Sequence, residues 1–138
     1  MRHKSYVLTA RATTDLHEAR AWSRARWGRE LTHRYFQDLH EGALYVAGNQ
    51  AALRDHHELA GGTSLRLHAV REHCLVYEPL SPQIIAIVAV IRQGRDIPAI
   101  LQKWAEPIRR ELLEVRSRVE RREIPLPRQR IAESRKSR

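Results

Sequence analysis

The spacing of apolar residues in this chain changes period twice. From Ser5 to Thr9 it alternates, with Tyr6 and Leu8 on one face and Val7 on the other. That pattern predicts a short strand. Ala12, Leu16, Ala19, Trp22 and Ala25 then recur at steps of three or four, which predicts a helix. Thr13, Thr14 and Asp15 carry side-chain oxygens that can accept first-turn amide hydrogens. Gly28, after Trp27, suits a left-handed helix end. A second helix follows, with Leu31, Tyr35, Leu39, Ala43 and Val46 on one face. Almost no linker separates the two, so they should form an antiparallel hairpin.

Residues 48–64 are polar and glycine-bearing and read as a loop, with one helical turn near Ala51–Arg54. Strands are expected at 65–70, 73–79 and 83–92. In the first, Leu65, Leu67 and Ala69 alternate with Arg66, His68 and Val70. Pro79-Leu80-Ser81-Pro82 supplies a turn. Ile84 to Ile91 has no polar residue, so this strand should be central and covered on both sides. Asp96 can cap a helix from Ile97, and Pro107 interrupts or restarts it. Ile108, Leu112, Val115 and Val119 form a stripe that can pack on its own domain or on a second copy, as a homodimer seam. The order βααβββα is an α+β fold. A helical hairpin packs on a mainly antiparallel four-stranded sheet, with an extra C-terminal helix. Residues 1–122 read as one domain and residues 123–138 as a basic, flexible tail.

At 138 residues the chain can bury a core without disulfides or metal. Its one cysteine, Cys74, excludes an internal disulfide framework and suits a buried small residue. No apolar run reaches the roughly 18–20 residues that span a bilayer, and the basic N-terminus lacks a signal-peptide core. A cytoplasmic protein is expected. The net charge is +9, and residues 103–138 hold 12 basic against 6 acidic side chains. Such a chain is drawn to polyanions or to an acidic protein, and its tail could meet nucleic acid.

The motifs exclude several chemistries. Gly61-Gly62 lacks the lysine and spacing of a phosphate loop, and there is no Gly-x-Ser-x-Gly elbow. Asp55-His56-His57-Glu58 carries metal-capable groups, but adjacent histidines in a loop rarely converge on one ion. No metal or cofactor is expected. Arg66, His68, His73 and Tyr77 are expected to share or border one face of the sheet, and Arg92 and Arg95 leave the central strand nearby. Cleavage of a phosphodiester by its own 2′-hydroxyl needs a base, a cation and an acid. Arg66, His73 and Tyr77 could fill those roles. Arginines at strand ends equally suit an acidic partner peptide, so catalysis and binding both stay open.

Several of these pieces resemble one family. Tyr6-Val7-Leu8-Thr9, then Ala12 and Asp15-Leu16, resembles the opening of the RelE/ParE superfamily of bacterial toxins. Trp27-Gly28 with Tyr35 and Leu39 resembles the helix-to-helix passage of ParE-type members. His73-Cys74-Leu75-Val76-Tyr77 and Ile87 to Asp96 resemble their last strands. The resemblance covers about residues 5–103. Arg92 stands where the family usually has histidine, and no tyrosine follows Tyr77. The ribonuclease branch usually places one in its final segment, so the pattern resembles the ParE branch more. That resemblance implies the toxin of a type II toxin–antitoxin pair, aimed at DNA gyrase, neutralised by a cognate antitoxin and using no cofactor. Arg66, Arg92 and Arg95 are the residues expected to meet target or antitoxin. A ribosome-dependent mRNA endoribonuclease and a non-catalytic binding module are the alternatives.

Overall fold

A computed structural model describes residues 4–53, 60, 62–121 and 131–132. The Asp55–Glu58 cluster and most of the 123–138 tail lie outside the described residues. Strand β1 (Ser5–Leu8) leads into α1 (Ala10–Gly48), then β2 (Arg66–Val70), β3 (His73–Ser81), β4 (Ile84–Arg92), α2 (Ile97–Lys103) and α3 (Ala105–Glu120). A single 3-10 turn, Gln50–Ala52, follows α1.

The expected hairpin is present as two arms of α1. Gly28 breaks the helix at φ 84° and ψ 177°, a conformation open essentially to glycine alone. The helix begins earlier than Thr13. Thr9 is the cap, and its hydroxyl accepts the Ala12 amide. The buried stripe is Ala12, Leu16, Ala19 and Ser23 in the first arm, and Thr32, Tyr35, Phe36, Leu39, Ala43 and Val46 in the second. Leu31 is therefore half exposed, at 49%. Trp22 sits at the edge of its stripe, because steps of four, three and four from Ala12 reach Ser23.

The sheet order is β1-β4-β3-β2. β1 pairs parallel with β4, and the other two ladders are antiparallel. β4 is central and apolar on both faces, as its composition predicts. Leu75, Tyr77, Ile85, Ile87 and Val90 pack against α1. Val76, Ala86, Val88, Ala89 and Ile91 pack against α2 and α3. Three layers result. Pro79 is inside β3 and the turn falls at Pro82-Gln83: β3 pairs with β4 as far as Ser81, while its β2 side has no partner beyond Tyr77, so the missing Pro79 amide is tolerated at an edge.

The C-terminal helix also differs from expectation. It breaks at Trp104 and not at Pro107, which occupies the first turn of α3 where no amide donor is required. Its stripe belongs to this chain's own core: Ile108, Leu112 and Val115 are buried on the sheet. Of the two roles expected for the stripe, these three residues take packing on their own domain, and Val119 is partly buried beside them. From the 123–138 segment only Ile131 and Ala132 are described; they are 2% and 5% exposed and sit in the core on the α1 side.

Candidate functional site

β4 outruns β1. Their pairing ends at Leu8 and Ile87, whereas β4 continues to Arg92. The exposed strand edge is closed by a side chain: Asp15 Oδ2 accepts the Val90 amide at 2.9 Å. Burial raises the Asp15 carboxyl pKa, with that amide and Arg11 acting in the other direction. Past Arg92 the chain turns through Gly94 and Arg95 into Asp96, whose carboxylate caps α2 through the Ala99 amide. This turn faces the first arm of α1. Between them lies a cleft of about 210 Å³, lined by Arg11, Asp15, Trp22, His73, Arg92 and Arg95 among others.

Arg92 and Arg95 are exposed at the cleft. The Arg92 guanidinium lies 5.1 Å from the Trp22 ring centroid and that of Arg26 lies 4.8 Å from it. An exposed cation–π contact contributes about 0.5–1 kcal/mol. It orients each guanidinium without removing its charge. The end of the sheet therefore presents several positioned cations around one indole.

His73 is the register partner of Arg92, but it faces inward at 3% exposure. Its Nδ1 lies 2.6 Å from the Tyr35 hydroxyl, which also accepts the Glu72 amide at 3.0 Å. With the ring proton on Nε2 the Tyr35 hydroxyl donates to Nδ1, and with it on Nδ1 the ring donates to the hydroxyl. Burial lowers the His73 pKa, Arg92 lowers it further, and Glu72 opposes both. Burial also pushes Tyr35 up to about 12 and the Cys74 thiol up to about 11. Cys74 is a buried thiol and not a thiolate, as its strand position suggests.

The remaining candidates lie elsewhere. Arg66 is the register partner of Tyr77, four residues along β3 from His73. Four residues of strand span roughly 13 Å. Tyr77 is 1% exposed within the α1-side core. Arg66, His73 and Tyr77 thus do not converge on one solvent-reachable point. Arg92 and Arg95 share the cleft, and Arg66 stands apart from them. Trp22, Arg26 and Arg11 join the site without having stood out in the sequence. The readable signal was the i,i+4 spacing of Arg11–Asp15 and Trp22–Arg26, which places each pair on one helix face. Among the described residues no three metal-ligating side chains come together. No described helix is long and apolar enough to cross a membrane.

A family model described as the ParE toxin of the type II toxin–antitoxin system, parDE, matches residues 6–97. Among solved structures, a chain from the chromosomal ParDE toxin–antitoxin system of P. aeruginosa superposes with a TM-score of 0.53. The two are 15% identical, and the match covers 64% of this chain and 95% of the other. At that identity the likeness is one of fold. No curated protein matches the chain.

Proposed function

This chain belongs to the ParE toxin family of type II toxin–antitoxin systems, and from that premise we propose that it acts on DNA gyrase through the cationic end of its sheet. Its partner is a cognate antitoxin, which neutralises it. The observation that carries the gyrase reading is the cleft at the end of β4. Arg92 and Arg95 are exposed there, and Arg92 is oriented on Trp22. Such an array can bind carboxylates of an acidic protein surface or phosphates of the DNA that gyrase holds. The residues of the alternative ribonuclease reading support it less well. His73 is bound to Tyr35, and Tyr77 is in the core. Neither reaches a substrate hydroxyl without rearrangement, as general acid–base work requires.

Purified protein should inhibit supercoiling by gyrase, and added antitoxin should restore it. Arg92→Ala combined with Arg95→Ala should relieve inhibition at least tenfold while leaving the melting curve in place. Codon-specific cuts in ribosome-bound mRNA, with supercoiling untouched, would move the assignment to the ribonuclease branch.

A further inference from the structure

Ile131 and Ala132 lie far outside the segment that matches the family, yet they are seated in this chain's core. They form one wall of a cavity beside β1 and the two arms of α1, whose other walls include the apolar Leu8, Leu16 and Phe36 and the cationic Arg20 and Arg24 with His33. The backbone of Ile131 is held at both ends. Its amide donates to the Tyr6 hydroxyl at 2.6 Å, and its carbonyl accepts from Arg20 at 3.1 Å. The Tyr6 hydroxyl is in turn 2.6 Å from His40 Nδ1. Two apolar side chains in a slot, with main-chain amide and carbonyl both paired, is how a groove holds a peptide.

The occupant is mismatched to the cationic wall. Between residues 128 and 138 the tail carries five basic side chains and one acidic one. The groove continues into a recess lined by Arg20, Arg24, Arg29 and His33, with Glu30 as its one carboxylate. Thr32 lines that recess too. It is 2% exposed, and its hydroxyl has no hydrogen-bond partner among the described residues. The three guanidinium groups outnumber the single Glu30 carboxylate, so the recess suits a further carboxylate better than a cation.

We infer that Ile131-Ala132 is an intramolecular plug in a peptide groove, displaced by an apolar segment of the antitoxin that is flanked by carboxylates. The apolar pair takes the place of Ile131 and Ala132, and a flanking carboxylate enters the recess beside Thr32. The antitoxin as source of the segment rests on the family reading above; the plug itself does not. A plug seated about nine-tenths of the time weakens the apparent affinity for a competitor about tenfold.

The test uses the full chain with Ser134→Cys carrying a spin label, since the one native thiol, Cys74, is buried. The label should tumble slowly in the free protein and become mobile when antitoxin is added. Ile131→Asp should free it without antitoxin and tighten antitoxin binding about tenfold. A milder variant, Ile131→Ser, should act in the same direction if the aspartate compromises folding. A label already mobile in the free protein overturns the inference, as does one still held at saturating antitoxin or displaced by an oligonucleotide instead. Unchanged or weaker antitoxin binding by both variants does the same. A moved label with no inhibition of supercoiling removes the gyrase reading alone. Inhibition with an unmoved label removes the plug alone.

Discussion

At the scale of single residues, the buried His73 and the half-buried Asp15 set opposite pH dependences. Unfolded, the His73 imidazole titrates near 6.5, and burial lowers that value in the fold. Above 6.5 neither state holds the proton, and the neutral ring contributes its full stability. As the pH falls below it, the unfolded chain binds the proton first and the fold loses stability. The loss stops once the folded imidazole also protonates. Asp15 runs the other way: its pKa is raised above 3.8, so its carboxyl protonates in the fold first and adds stability as pH falls further. The melting temperature should therefore drop from about pH 7.5 to about pH 5.5. His73→Gln, which keeps a neutral hydrogen-bonding group for Tyr35, should flatten that drop. A drop of equal size in the variant would acquit His73. The sequence shows His73 as a strand residue with acid–base potential. It does not show Tyr35, which lies 38 residues earlier on another element. That partner turns a candidate catalyst into a buried, hydrogen-bonded ring.

At the scale of elements, the legible features are those fixed by a local requirement. Gly28 was visible as a helix break because its position demands positive φ, here 84°. No atom lies within 4 Å of where its Cβ would be, so the demand is backbone strain and not space. Gly28→Ala should cost about 1–3 kcal/mol, read as a lower urea midpoint with an unchanged slope. Gly42 serves differently: a Cβ there would meet Val70 Cγ2 at 2.7 Å, so α1 and β2 approach through the missing side chain. α3 offers adjacent leucines with opposite expectations. Leu112 is buried at 7% and Leu113 is exposed at 57%. Leu112→Ala should cost about 2–4 kcal/mol, and Leu113→Ala no more than about 0.5 kcal/mol. Equal losses would mean that α3 does not pack on the sheet through this stripe. The break at Trp104 was not legible. Pro107 carries the louder local signal, but the Trp104 indole is held from outside, with Arg11 stacked 4.4 Å from its centroid. The outward turn of Leu31 was hidden for a similar reason, since the phase of a stripe after a glycine break depends on the angle between the arms.

At the scale of the whole molecule, the element order and the central position of β4 could be read from apolar patterning. What the sequence could not place was where charge collects in space. Arg66, Arg92 and Arg95 look equivalent in the sequence, each at the end of a strand. The register puts Arg66 beside Tyr77 and puts Arg92 beside His73, so only the second end gathers several cations. The place of Ile131 and Ala132 was hidden for a related reason: they sit in a basic segment, but their partners in the core, such as Leu8, Leu16 and Phe36, are more than 90 residues away in the sequence. This layout separates two kinds of contact and gives the last prediction. If gyrase is engaged through exposed arginines, the attraction is screened over about 10 Å at 0.1 M salt. The antitoxin seat joins apolar burial to charge, and apolar burial is not screened in that way. Raising salt from about 0.05 M to about 0.2 M should raise the half-inhibitory concentration against gyrase several-fold, with each assay normalised to uninhibited supercoiling at the same salt. Antitoxin binding over the same range should weaken less. A flat inhibition curve would shift the gyrase contact away from Arg92 and Arg95 and onto the exposed apolar side chains, of which Tyr45, at 50% exposure, would be the first to replace.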